Sequence, residues 1–291
     1  MGTVYRGTHV LMDKTVAIKV LRPSLAADEK IVARFSREAR AASRISHPHA
    51  LSVTDFGEAE NGIVFLVMEF LNGETLKDVI RREGPMPLAR VVEIIRQVGA
   101  ALDAAHCQGV VHRDLKSENI MLLAANGPDY AKVLDFGIAK IKEHDGAYDP
   151  GLTAPDLVIG TPQYMSPEQE RGEIKQLNER SDVYSLGAIL YFLLTNRAPA
   201  AVKPRVVNAK VSKAAEAVCL KAMSASSEDR YATAAELAAD VARLLNDEPV
   251  SAYRENWFEK VQRWVSKNRV LVLIVLAYLL MRIFFIVSAQ S

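Results

Sequence analysis

The sequence has 291 residues, 24% charged and 49% hydrophobic, which is ordinary globular composition and enough chain for one two-lobed domain with a sizeable core. A net charge of +1, with no basic stripe along the main body, argues against a nucleic-acid partner. Two cysteines, Cys107 and Cys219, are too few for a disulfide framework, so a reducing compartment is expected for the folded part. The opening residues lack a charged leader followed by an apolar stretch, and no signal peptide is expected.

Taken in chain order, the first seventy or so residues read as strands around one helix. The β-branched run Val16-Ala17-Ile18-Lys19-Val20 and the run over 63–68 predict strands. Residues 29–44, rich in Ala, Arg and Glu, predict a helix between them, and Asn72-Gly73 marks a turn. The pattern then becomes helical, over 88–106, 181–195 and, as one helix or two, 214–245. Residues 138–165 hold Gly and Pro without a clear period, and a loop that long inside a compact domain is usually functional.

The strongest chemical signal is His112-Arg113-Asp114-Leu115-Lys116-Ser117-Glu118-Asn119, an HRDLxxxN pattern. It pairs a carboxylate able to orient a hydroxyl proton with an amide oxygen, five residues on, able to reach a metal ion on phosphates. About sixteen residues past Asn119 comes Asp135-Phe136-Gly137, after the apolar Val133-Leu134. Upstream, Val16-Ala17-Ile18-Lys19 fits a strand whose lysine meets the α- and β-phosphates.

On these motifs, residues 1 to about 246 resemble a Hanks-type protein kinase domain, similar to the bacterial Ser/Thr kinases. The resemblance implies an α+β, bilobal fold: a small β-rich lobe over 1–71, lacking its first strand, and a helical lobe over 72–246. It implies ATP and Mg²⁺ as cofactors and protein Ser/Thr hydroxyls as acceptors. Asp114, Lys116 and Asn119 would be catalytic, and Asn119 and Asp135 would hold metal. Glu38 would orient Lys19, and Phe136 would pack on the helix carrying Glu38. Met68, Glu69 and Leu71 resemble the hinge that binds adenine, beneath Ala17, with Gly2 and Val4 matching the end of a glycine-rich loop whose first strand and first two glycines are absent. A start codon placed too late would explain that departure, as would a true loss of the lid.

Further matches lie downstream. Gly160 to Glu168 resembles the end of an activation segment, with Ser166-Pro167-Glu168 in place of APE. Arg230 would pair with Glu168, and Asp182 would brace the catalytic loop. Lys116, two residues after Asp114, marks Ser/Thr over Tyr specificity, and Thr161 would bond Asp114 and Lys116. Arg113 calls for a phosphate on the loop, with Thr153 the expected acceptor and Tyr148 behind it. A helix usual in the family is expected to be missing between Thr195 and Ala214, which bears on peptide docking more than on catalysis.

The tail, 247–269, is a juxtamembrane amphipathic linker in this reading. Trp257, Phe258, Val261, Trp264 and Val265 recur at helix spacing, and 254–269 carries five basic and two acidic residues. Residues 270–287 form an apolar run just long enough to cross a bilayer, broken only by Arg282, whose head could snorkel outward. The expectation is a single-pass cell-membrane protein with a cytoplasmic kinase domain. Its partners would be ATP, protein substrates and bilayer lipid, with a homodimer left open. The alternative is a catalytically weak kinase-fold scaffold at the membrane.

Overall fold

The structure, a computed structural model, describes residues 2–26, 28–60, 62–124, 129–136 and 162–289. Strand β1 (Gly2–His9) runs antiparallel to β2 (Lys14–Leu21), from Gly2 opposite Leu21 to His9 opposite Lys14. A Cβ at Gly2 would stand 2.2 Å from the Val20 carbonyl oxygen, so only glycine lets the ladder close there. With β3 (Val53–Glu58) and β4 (Val64–Glu69) the order is β1-β2-β4-β3. The short turn α1 (Pro23–Ala26) leads to α2 (Glu29–Ser43), whose cap, Asp28, accepts from the N–H groups of Lys30 and Ile31. Phe35, Ala39 and Ala42, three or four residues apart, put one face of α2 on Leu21, Val64 and Leu66, and this is the small lobe's core. Burying Phe35 alone stabilises it by about 1.5–3 kcal/mol.

The large lobe is built on α4 (Leu88–His106) and α6 (Glu179–Thr195), with α3 (Leu76–Glu83) beside them. A three-stranded sheet, β5 (Gly73–Thr75), β6 (Ile120–Leu123) and β7 (Tyr130–Val133), packs on α4 through β7. After α5 (Pro167–Glu170), α6 starts two residues earlier than its apolar run, because Asn178 and Ser181 form a capping box. It ends at Asn196, which takes the left-handed conformation of a C-cap, φ 53°. Residues 196–212, expected to be short of a helix, hold only α7 (Pro204–Val207).

The helical stretch 214–245 is two helices, α8 (Lys213–Ala222) and α9 (Ala234–Leu245), each opened by its own Ser or Thr cap, Ser212 and Thr233. Packing continues past 246: Val250 is buried, and Ala252 and Tyr253 lie against the same core. Beyond it come α10 (Trp257–Lys267) and α11 (Arg269–Ala289), which encloses the apolar run 270–287. Among the described residues no single helix is long and apolar enough to cross a membrane. The bent pair Trp257–Lys267 and Arg269–Arg282 would be, by length and composition together.

Candidate active site

The loop after α4 is held from beneath by Asp182 on α6, which is wholly buried. Its carboxylate accepts the backbone N–H of His112 at 2.8 Å and of Arg113 at 2.9 Å, and it meets His106 Nε2 at 2.7 Å. Arg113 is thereby kept in the left-handed region, φ 64°, a strained conformation that persists because these bonds over-determine it. His112 continues the chain of contacts. Its Nε2–H donates to the Leu134 carbonyl at 2.8 Å, while Nδ1 accepts from the N–H of Asp114 at 3.3 Å. Leu134 N–H in turn donates to the Asn119 carbonyl at 2.8 Å. The two motif-bearing segments are therefore fastened to each other through backbone, and Asp135 follows with φ 53°.

On that frame the polar side chains converge. Asp114 Oδ2 lies 3.0 Å from Lys116 Nζ and accepts from Asn119 Nδ2 at 3.2 Å; the same amide nitrogen donates to the Asp114 carbonyl at 2.7 Å. Because the amide is planar, spending Nδ2 on Asp114 turns Oδ1 of Asn119 to the other side. Lys19, buried on β2, forms an ion pair with Asp135 at 2.9 Å. Glu38, the partner expected for Lys19, stands half-buried on α2. Phe136 packs edge-on to His112, centroids 5.0 Å apart, and lies buried in the large-lobe core.

The sheet sets the register of the residues expected to face a nucleotide. Val4 stands opposite Lys19 and Ala17 opposite Met68, which is buried; Gly2 pairs with Leu21 at the end of the ladder. Glu69 is tied down at both ends. Its N–H donates to the Ser52 carbonyl at 3.0 Å, and its carboxylate accepts Ser52 N–H at 2.8 Å and contacts the Lys132 ammonium. Its carbonyl, not its N–H, is then the backbone group it could offer an adenine. Leu71 is half-buried just after β4.

Glu168 and Arg230 meet below the loop in a buried, two-pronged pair. Burial pushes the Glu168 carboxyl up, but the Arg230 hydrogen bonds, its own backbone and Ser181 outweigh that and bring it to about 2. Thr153 and Thr161, with Gly137 and Tyr148, lie outside the described residues.

Some contributors escaped the sequence reading. Gln169 Nε2 donates to the Arg113 carbonyl at 2.6 Å, Lys77 reaches Glu118 at 2.6 Å, and Ser117 Oγ is 3.2 Å from the Tyr164 hydroxyl. Only Gln169 left a local signal: Ser166 and Gln169 have capping-box spacing. His106, the last residue of α4, had no motif around it.

Asp135 and Asn119 supply hard oxygen donors, and among the described residues no cluster of three His, Cys, Asp or Glu could hold a metal by itself. That set fits a divalent ion whose remaining ligands are phosphate oxygens and water. Against the geometry stands a family match: the model described as "Protein kinase domain" covers residues 1–251.

The chain belongs to the protein kinase family.

Among its relatives, serine/threonine-protein kinase pkn3 of Myxococcus xanthus is 48% identical over 255 residues, which is 80% of this chain and 46% of that protein. Serine/threonine-protein kinase PknB of Mycobacterium tuberculosis is 40% identical over 271 residues, 87% of this chain and 42% of that protein. The crystal structure of the Mycobacterium tuberculosis PknI kinase domain superposes with a TM-score of 0.67 at 27% identity, covering 84% of this chain and 91% of that one. The chain is thus a protein kinase similar to bacterial serine/threonine protein kinases, and it spans less than half the length of the curated relatives it matches.

Proposed function

We propose that this kinase transfers the terminal phosphate of Mg-ATP to protein Ser/Thr hydroxyls at a cell membrane, and that phosphorylation within its own activation segment switches it on. The observation that carries the catalytic part is the placement of Asp114, held on a loop pinned by Asp182 and flanked by Lys116 and Asn119. In this reading Asp114 orients the acceptor hydroxyl and takes its proton. Lys116 offsets the charge on the carboxylate and on the phosphate oxygens. Lys19 holds the nucleotide phosphates, and Glu38 on α2 orients it once Asp135 turns to metal. Asp135 and Asn119 would hold Mg²⁺, which when bound neutralises the phosphates. Ala17, Met68 and the backbone of Glu69 and Leu71 line the adenine side, and Gly2 and Val4 the phosphate side.

Arg113 supports the regulatory part. Its Nε is buried with no hydrogen-bond partner among the described residues, which suits an incoming phosphate, and Thr153 is the acceptor we assign. Basic residues before an apolar helix support the membrane tether, with the kinase domain on the cytoplasmic side.

The test is Mg-ATP-dependent autophosphorylation of the full chain in lipid nanodiscs, read by intact mass beside Asp114→Asn. Phosphates on the wild type alone, with Thr153 among the mapped sites and Thr153→Ala slowed, are expected. No phosphate on either chain would reject the enzyme reading in favour of a scaffold. A fully active Thr153→Ala would reject the switch.

A further inference from the structure

Helix α10 has two faces with different fates. Trp257, Phe258, Val261, Trp264 and Val265 are all exposed, and at about 100° per residue they fall within one arc of roughly 120°. Glu259 and Arg263 lie on the opposite side. Glu259 accepts from Lys213 Nζ, on the first turn of α8, at 2.8 Å, and from the Tyr253 hydroxyl at 2.9 Å to each oxygen. Arg263 forms an ion pair with Glu255 at 2.9 Å. Tyr253 itself packs against the large-lobe core, so the polar face of α10 is attached to the kinase domain.

At Asn268 the chain turns by 88° into α11. Asn268 serves both helices: its N–H and its side-chain amide donate to the Trp264 carbonyl at 2.9 Å, and its own carbonyl accepts from Val272 at 3.0 Å. The turn is thus a bonded corner rather than a loose joint.

We propose that α10 lies flat in the headgroup layer of an anionic bilayer, apolar face in lipid and polar face clamped to the large lobe, so that the kinase domain is seated on the membrane in one orientation. This rests on α11 being the membrane tether. Three observations select lipid as the occupant of the exposed face. The apolar α11 leaves the corner at nearly a right angle, as a span must if α10 runs along the surface. Two tryptophans sit on the free face, and the amphipathic ring of tryptophan favours the interface. Lys260, Lys267 and Arg269 flank that face with positive charge that anionic headgroups would meet.

The chain's only two tryptophans are Trp257 and Trp264, so tryptophan emission, excited beyond the tyrosine band, reports on α10. The full chain is reconstituted in vesicles of phosphatidylcholine and phosphatidylglycerol in equal parts. The phosphatidylcholine is brominated either near the headgroup or near the acyl end. Retention after alkaline carbonate washing is measured on the same samples and reports α11 separately. Trp257→Phe and Trp264→Phe leave one reporter each. The expected result is blue-shifted emission, stronger quenching by the shallow bromines, and equal depth for both reporters. An upright α10 would separate them by about 10 Å, seven residues at 1.5 Å each, and would overturn the proposal.

Unquenched tryptophans in carbonate-resistant protein would also overturn it while leaving the tether intact; concentration-dependent dimerisation would then identify a second copy as the occupant. Protein that washes off unquenched would overturn both. The clamp has its own readout. Glu259→Gln is expected to keep the tryptophan depth while hydrogen exchange accelerates at 213–216 and 253–259. Unchanged exchange there would reject the fixed seating.

Discussion

Glu168 and Arg230, 62 residues apart, meet as a two-pronged ion pair: Nη1 donates to Oε1 at 2.7 Å and Nη2 to Oε2 at 2.8 Å, with both side chains buried. The remaining guanidinium donors are also used, on the carbonyls of Ser224, Arg180 and Ala225, and Ser181 Oγ donates to Glu168 at 2.8 Å. A pair so fully bonded ties the end of the activation segment to the start of α6 and to the turn before α9.

Breaking one member leaves the other buried and uncompensated, so Glu168→Gln should destabilise the domain by about 3–5 kcal/mol near neutral pH. The sign with pH follows from the carboxyl being brought down from 4.5 to about 2 in the folded state. Its contribution is fully present above the ordinary carboxylate range and is lost as pH falls toward 2. Urea midpoints for the two proteins should therefore converge in acid. A constant gap down to the lowest pH would show that Glu168 acts through shape and not charge.

His106 is expected to behave in the opposite sense. Burial lowers its pKa, but the hydrogen bond and charge of Asp182, with Asp103 and Glu179, outweigh burial and leave it raised above 6.5. Stability from the protonated ring is present in full below that value and fades as pH rises through the folded pKa. The lead of wild type over His106→Gln, which keeps a donor but not the charge, should be widest in mild acid and should close in alkali. Equal midpoints across the series would count against a charged His106.

Asp114→Asn should lower kcat by about 10²–10⁴ while the KM for ATP stays near wild type, since the carboxylate acts on the acceptor hydroxyl and the amide keeps the shape. Steady-state phosphorylation of a generic Ser/Thr substrate protein measures this. A matched rise in KM for ATP would point to a nucleotide-binding role.

Lys19→Met removes the cation that Asp135 now faces. Loss of one charge-assisted contact, about 1.5–3 kcal/mol, corresponds to roughly 10–150-fold weaker ATP binding. Titration calorimetry with Mg-ATP reads it. Unchanged affinity would move the phosphate-binding role away from β2.

Much of this kinase was legible locally. Residues 112–119 and 135–137 lie in fixed short spacings, so Asp114, Lys116, Asn119 and Asp135 could be singled out as candidates from the chain alone, and folding brings the first three into contact. Helix α4 matched its expected ends because its apolar positions repeat at helix spacing, and Asn178 could have placed the start of α6 through its capping pattern. What tertiary structure decided was who faces whom across long separations. Sequence spacing offered Glu38 for Lys19, whereas the contact with Asp135 at 2.9 Å, across 116 residues, comes only from folding.

Nothing around His106 announces that it shares Asp182 with the catalytic loop; that depends on α4 and α6 packing side by side. The tail divides the same way. Composition determined that α10 has an apolar and a basic character, since that follows from residue type and period. Which face stays free, and at what angle the next helix departs, were decided by Lys213, Tyr253 and Asn268, because only folding brings the start of α8 to Glu259 and closes a bonded corner at Asn268.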